Sequence, residues 1–140
     1  MIKNKEEILK VTKEWLDKAD NDLKAAKILL NNGGDLDIIV FHLQQAVEKY
    51  LKAFLVYSYN IRGEKDKVIP KTHDIKELIN LCSNIDPDFK KLYEIGAHKL
   101  YPIGIEVRYP GNYEISYETV IEFLNITEKV REFILNKLNF

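Results

Sequence analysis

Three short stretches hold the side chains best suited to chemistry. Lys71-Thr72-His73-Asp74 stands where a polar linker gives way to helix-forming sequence, and Arg108-Tyr109-Pro110 lies in a segment rich in proline and glycine. Gln44, Gln45 and the pair Glu48 and Lys52 are set into a mostly apolar run. Free backbone N–H groups at a helix start, with Lys71 beside them, suit a phosphate. The structural alternative is that Thr72 only caps the helix while His73 hydrogen-bonds to a neighbouring one. Arg108 offers a planar fork for phosphate and Tyr109 a ring on which a base can stack. Its alternative is a pairing of Arg108 with Glu48 or Glu106, with Tyr109 packed on the fold and Pro110 stiffening the turn. Of 21 basic residues only Arg62, Arg108 and Arg131 are arginines, so one placed in a loop points to a use for that fork. Lys71, Thr72, His73, Arg108 and Tyr109 are therefore the candidate nucleotide- or RNA-binding residues, and no residue is assigned a catalytic role from spacing alone.

The remaining polar and aromatic groups read as structural. Glutamines on a buried helix face must find partners, and a facing copy of the same helix in a dimer would supply them for Gln44 and Gln45. His42 falls on the less apolar side, as a surface residue. Tyr101, Tyr109 and Tyr113 form either a base-stacking platform or the packing of a loop.

These groups are positioned by helices. From about residue 5 to 30, Ile8, Trp15, Ala19, Leu23, Ala26 and Leu30 keep spacings of three and four, and Asn31-Asn32-Gly33-Gly34 ends the run. A second helix, capped by Asp35 or Asp37, runs to about Tyr59, with Leu43, Ala46, Val47, Tyr50, Ala53, Phe54 and Tyr57 on one buried face. The short connection makes these two an antiparallel hairpin. After the linker, Thr72 caps a shorter helix to about Ser83, and Asp86-Pro87 starts another that carries Phe89, Leu92 and Tyr93 inward and ends near Leu100. Residues 101 to 115 hold two prolines and two glycines and lose helix propensity. Ser116 then caps a last helix to about Leu138. The expectation is one all-α domain over residues 1–140, an up-and-down bundle of about five helices with a long loop before the last.

A chain of 140 residues can bury about two-thirds of its unfolded surface, so no disulfide or metal is needed. The single cysteine, Cys82, continues the apolar repeat Ile75, Leu78, Ile79 and reads as a small buried hydrophobe. No metal site and no cofactor is expected. A net charge of −1 excludes a general nucleic-acid binder while allowing a local basic patch. The opening MIKNKEEILK has no apolar core behind its charges and no run is long enough to span a membrane, so a soluble cytoplasmic protein is expected.

Four motifs in order, WLDKADNDLKAAKILL, QQAVEKYLKAFL, KTHDIKELINL and RYP before the last helix, resemble the HEPN family of small helical domains across nearly the whole chain. The resemblance implies one of two functional types. One comprises ribonucleases, often toxins, with an arginine followed by four to six residues and a histidine. The other lacks that pair and is associated with nucleotide binding or with a small nucleotidyltransferase partner. None of Arg62, Arg108 and Arg131 has a histidine in that window; after Arg108 it holds Tyr113, Glu114 and Ile115. RNA cleavage without metal needs a group that titrates near neutral pH and a fixed cation for the developing phosphate charge. The resemblance thus implies a non-catalytic nucleotide- or RNA-binding homodimer with a small nucleotidyltransferase partner, as in toxin–antitoxin pairs. The alternative is an atypical metal-independent ribonuclease in which Arg108 works with His73 or His98.

Overall fold

The structure is a computed structural model that describes residues 4–64, 66–107, 109–111 and 114–140. It is helical and, among the described residues, contains no strand. Helix α1 covers Lys5–Asn31, α2 Leu36–Ile61, α3 Ile75–Ile85, α4 Lys91–Glu94, α5 Leu100–Glu106 and α6 Tyr117–Leu138. Single 3-10 turns, Pro87–Lys90 and Ala97–Lys99, precede α4 and α5. No described helix is long and apolar enough to cross a membrane.

Side-chain caps open four of the helical elements, while Asp35 stands at the start of α2 without a side-chain hydrogen bond. The Asn4 side chain accepts from the Glu6 N–H at 2.7 Å, and Ser116 accepts from that of Thr119 at 3.1 Å, each satisfying an orphan donor of the first turn. Asp86 accepts from the Asp88 N–H at 3.0 Å, with Pro87 in the first turn where its missing N–H costs nothing. Helix α3 begins later than the sequence reading placed it. Its cap is Asp74, which accepts from the Lys76 N–H at 3.0 Å, while the Thr72 hydroxyl oxygen accepts from the Asp74 N–H at 3.0 Å and bends the approach.

Helices α1 and α2 form the expected antiparallel hairpin, tied by Lys49 to Asp22 and by the Tyr50 hydroxyl to Asp20. Helix α6 runs antiparallel to α1, with Arg131 on Asp20 at 2.8 Å and Lys27 on Glu128 at 3.0 Å. Periodicity predicts one buried face for α2. Instead every residue from Tyr50 to Val56, nearly two full turns, is buried, so α2 is the central helix and α1, α3, α5 and α6 surround it. Phe89 joins the short segments to this core, with its ring centroid 4.3 Å from that of Phe54 and 5.0 Å from that of Phe133. Cys82 is fully buried, and burial pushes its thiol up.

The middle of the chain departs furthest from the sequence reading. Gly96, at φ +82, ends α4 where one continuous helix to Leu100 was expected. Helix then resumes inside the segment expected to be irregular. Tyr101 is extended, as a residue before proline prefers, the Tyr101–Pro102 bond is cis, and the chain from Pro102 completes α5. Helix α5 lies against α2 at Gly104, where a Cβ would stand 2.7 Å from Gln44 Cβ and 3.4 Å from the Val40 carbonyl oxygen. Only a glycine lets the two backbones come this close.

Candidate functional site

Three polar residues one turn apart on α2, Gln44, Glu48 and Lys52, are buried inside the bundle. Glu48 is 4% exposed and Lys52 6%, too deep for a solvated surface pair. The Lys52 ammonium donates to Glu48 Oε1 at 2.8 Å, and the Gln44 amide donates to Glu48 Oε2 at 3.2 Å. Buried charges persist only when paired and hydrogen-bonded, and the third partner comes from another part of the chain. His73, immediately before the Asp74 cap of α3, brings its Nδ1 to 3.1 Å from both Glu48 oxygens.

A carboxylate has no hydrogen to give, so Nδ1 carries one and donates it. The ring is held from one edge while its side chain remains 59% exposed, which leaves Nε2 as the outward-facing nitrogen. The segment is fixed by its backbone too, because the Gln44 amide also donates to the His73 carbonyl at 3.4 Å. Gln45 completes the set by donating to Gln44 Oε1 at 3.0 Å. These glutamines thus find partners within one chain, and no facing copy is required to satisfy them.

The sequence candidates fall into separate places. Lys71, Thr72 and His73 are consecutive on the approach to α3, with Lys71 and His73 exposed and Thr72 half-buried. Asp74 takes the helix-start N–H of Lys76, so it is the exposed lysine and imidazole that face outward here. Arg108, and with it Tyr113, lies outside the described residues. Tyr109 is 59% exposed and therefore not packed on the bundle, whereas Tyr101 is half-buried against the core. Gly104 of α5 lies against Gln44, whose amide also reaches the His73 carbonyl.

The other two histidines are accounted for otherwise. His42, expected at the surface, is half-buried, with Nδ1 3.0 Å from Asp22 Oδ1 and Lys49 on the same carboxylate. His98 packs its ring on Tyr93 at 5.1 Å between centroids, and its buried Nδ1 has no hydrogen-bond partner. Desolvation first, then the ammonium groups of Lys76 and Lys99, hold His98 below the ordinary imidazole value. As pH falls past about 6.5 the unfolded chain binds this proton first. The stability supplied by the neutral ring is complete above that value and is lost as pH falls toward the folded one. His98→Gln is expected to flatten the dependence of Tm on pH between about 7 and 5, read by calorimetry. An unchanged slope would assign the effect to other groups.

A second, half-exposed network joins residues that no local pattern pairs. The Tyr50 hydroxyl donates to Asp20, which also receives Arg131. Burial alone would raise Asp20, but hydrogen bonds from Arg131 and Tyr50 outweigh it and hold the carboxyl below its usual range. Desolvation and then Asp20 push the Tyr50 phenol up, so it stays protonated. This arrangement ties α1, α2 and α6 together. A surface cleft of about 600 Å³ between the start of α1 and the end of α6 is lined by Leu9, Tyr57, Leu138 and Phe140, with Lys5, Lys10 and Lys13 at its edge. It contains none of the candidate residues. No cluster of three potential metal ligands occurs among the described residues.

Comparison with known families matches the HEPN domain to residues 12–138. None of the curated proteins matches the chain.

Proposed function

Because the chain belongs to the HEPN domain family, we propose that it is a non-catalytic module holding a nucleotide or an RNA end, as a homodimer with a small nucleotidyltransferase partner. Toxin–antitoxin pairs are the setting in which such a partnership would operate. The observation that carries the binding role is the exposed His73 ring, fixed from behind by the buried Glu48. A surface imidazole normally has free rotamers, and a ligand must then meet the cost of ordering one. Here the carboxylate has ordered it already. Lys71, two residues earlier and exposed, supplies the charge for a phosphate, and Tyr109 an exposed ring for a base. The non-catalytic reading rests on the missing Arg–His spacing and on His98, whose ring packs on Tyr93.

A second reading is favoured by one observation. A carboxylate holding Nδ1 of an imidazole is the arrangement that orients a general base. Glu48 and His73 have that form, which keeps open a metal-independent ribonuclease using His73 with Arg108.

Thermal unfolding with and without ATP tests the leading reading. A ligand at a hundredfold excess over its Kd should raise the stability of the folded form by about 2.7 kcal/mol. The expected result is such a shift in the wild type and none in His73→Ala, with light scattering giving a mass of two chains at micromolar concentration. A monomer that no nucleotide or RNA stabilises would overturn the proposal.

A further inference from the structure

The contacts around Glu48 determine which nitrogen of His73 carries the hydrogen, and so what the site can recognise. Resting on the binding reading above, we propose that Glu48 is a positioning residue that presents a bare His73 Nε2 to a ribose hydroxyl, so that the ligand is a nucleotide or RNA end with its hydroxyls intact. Both Glu48 oxygens lie 3.1 Å from Nδ1, and neither can donate. In the neutral ring the hydrogen is therefore on Nδ1, and Nε2 has only a lone pair. That atom accepts a hydrogen bond and cannot give one. Among the groups at the end of a nucleotide, phosphate oxygens are acceptors and are left to Lys71, while the ribose hydroxyls are donors.

Lys52 and Gln44 make the orientation one-sided. Lys52 holds Oε1 at 2.8 Å, and the Gln44 amide, itself oriented by Gln45, holds Oε2. In Glu48→Gln the one remaining oxygen stays with the Lys52 ammonium, and the other position becomes an N–H donor that faces both His73 Nδ1 and the Gln44 amide. The pair of acceptors that holds the hydrogen on Nδ1 is then broken, and the ring hydrogen populates Nε2 as well.

The test combines ring-nitrogen NMR with binding. Long-range proton–nitrogen spectra at about pH 8.5, above the ordinary titration range of imidazole, should show His73 with its hydrogen on Nδ1 in the wild type and a shift of population toward Nε2 in Glu48→Gln. ATP and a short single-stranded RNA are each compared with their 2′,3′-dideoxy-terminated counterparts by calorimetry. The wild type should bind the dideoxy forms about fivefold more weakly, the size expected for one neutral hydrogen bond. In Glu48→Gln that ratio should fall toward one, a change that a merely structural role would not produce. Equal wild-type affinities, or a wild-type ring protonated on Nε2, would overturn the proposal. If no probe binds, the binding reading fails, and the tautomer still decides whether Glu48 positions the ring. If Glu48→Gln does not fold, both wild-type comparisons stand by themselves.

Discussion

Lys52→Met is expected to destabilise the protein by about 3 kcal/mol, at the lower end of what breaking a buried ion pair costs. Its ammonium is the closest partner of a carboxylate that is 4% exposed. Removing it leaves a charge in the interior with only the Gln44 amide and the edge of His73 to stabilise it. Methionine preserves most of the side-chain volume, so the loss reports on charge rather than on a cavity. The double variant Lys52→Met/Glu48→Met should recover most of this stability, because the interior then holds neither charge. Urea unfolding of the wild type, both single variants and the double gives the coupling directly. A cost below about 1 kcal/mol for Lys52→Met would mean that the pair behaves as a solvated one.

Phe89→Ala should cost about 3–5 kcal/mol. The ring is fully buried between Phe54 of α2 and Phe133 of α6, tilted against the first and edge-on to the second. It is the anchor by which the 3-10 turn Pro87–Lys90 is held to the core, and alanine would leave a cavity facing two other aromatic rings. Phe89→Leu should recover at least half of the loss by refilling part of that volume. Thermal unfolding by circular dichroism checks both. If alanine and leucine lowered Tm equally, the specific aromatic geometry rather than burial would carry the energy.

Legibility in the sequence followed helix length. Helices α1, α2 and α6 are long enough for the 3.6-residue period to repeat several times, and glycines, Asp35 and Ser116 mark their ends. Between them the chain is built of single turns, too short for a period to register. Gly96 and Pro102 act there through backbone conformations that a periodicity argument does not contain. Thr72 and Asp74 are two capping residues two positions apart. Choosing between them needed the direction of the chain entering α3.

The site was legible only in part. Lys71, Thr72 and His73 stood out because they precede a helix, yet the residue that fixes His73 is 25 positions away on α2. A helical wheel shows Glu48 and Lys52 as an i, i+4 pair and cannot tell whether they face water or a second segment of the same chain. The burial of α2 on all sides decides it, and that depends on α3 and α5 packing where no local pattern announces them. Asp20 and Arg131, 111 residues apart, were hidden in the same way.

Binding without cleavage is tested by incubating labelled single-stranded RNA with the purified wild type and with His73→Ala in EDTA, scoring binding and cleavage in the same samples. The wild type should retain the RNA intact and His73→Ala should release it. Cleavage by the wild type that is lost in His73→Ala would contradict this and establish the ribonuclease reading instead.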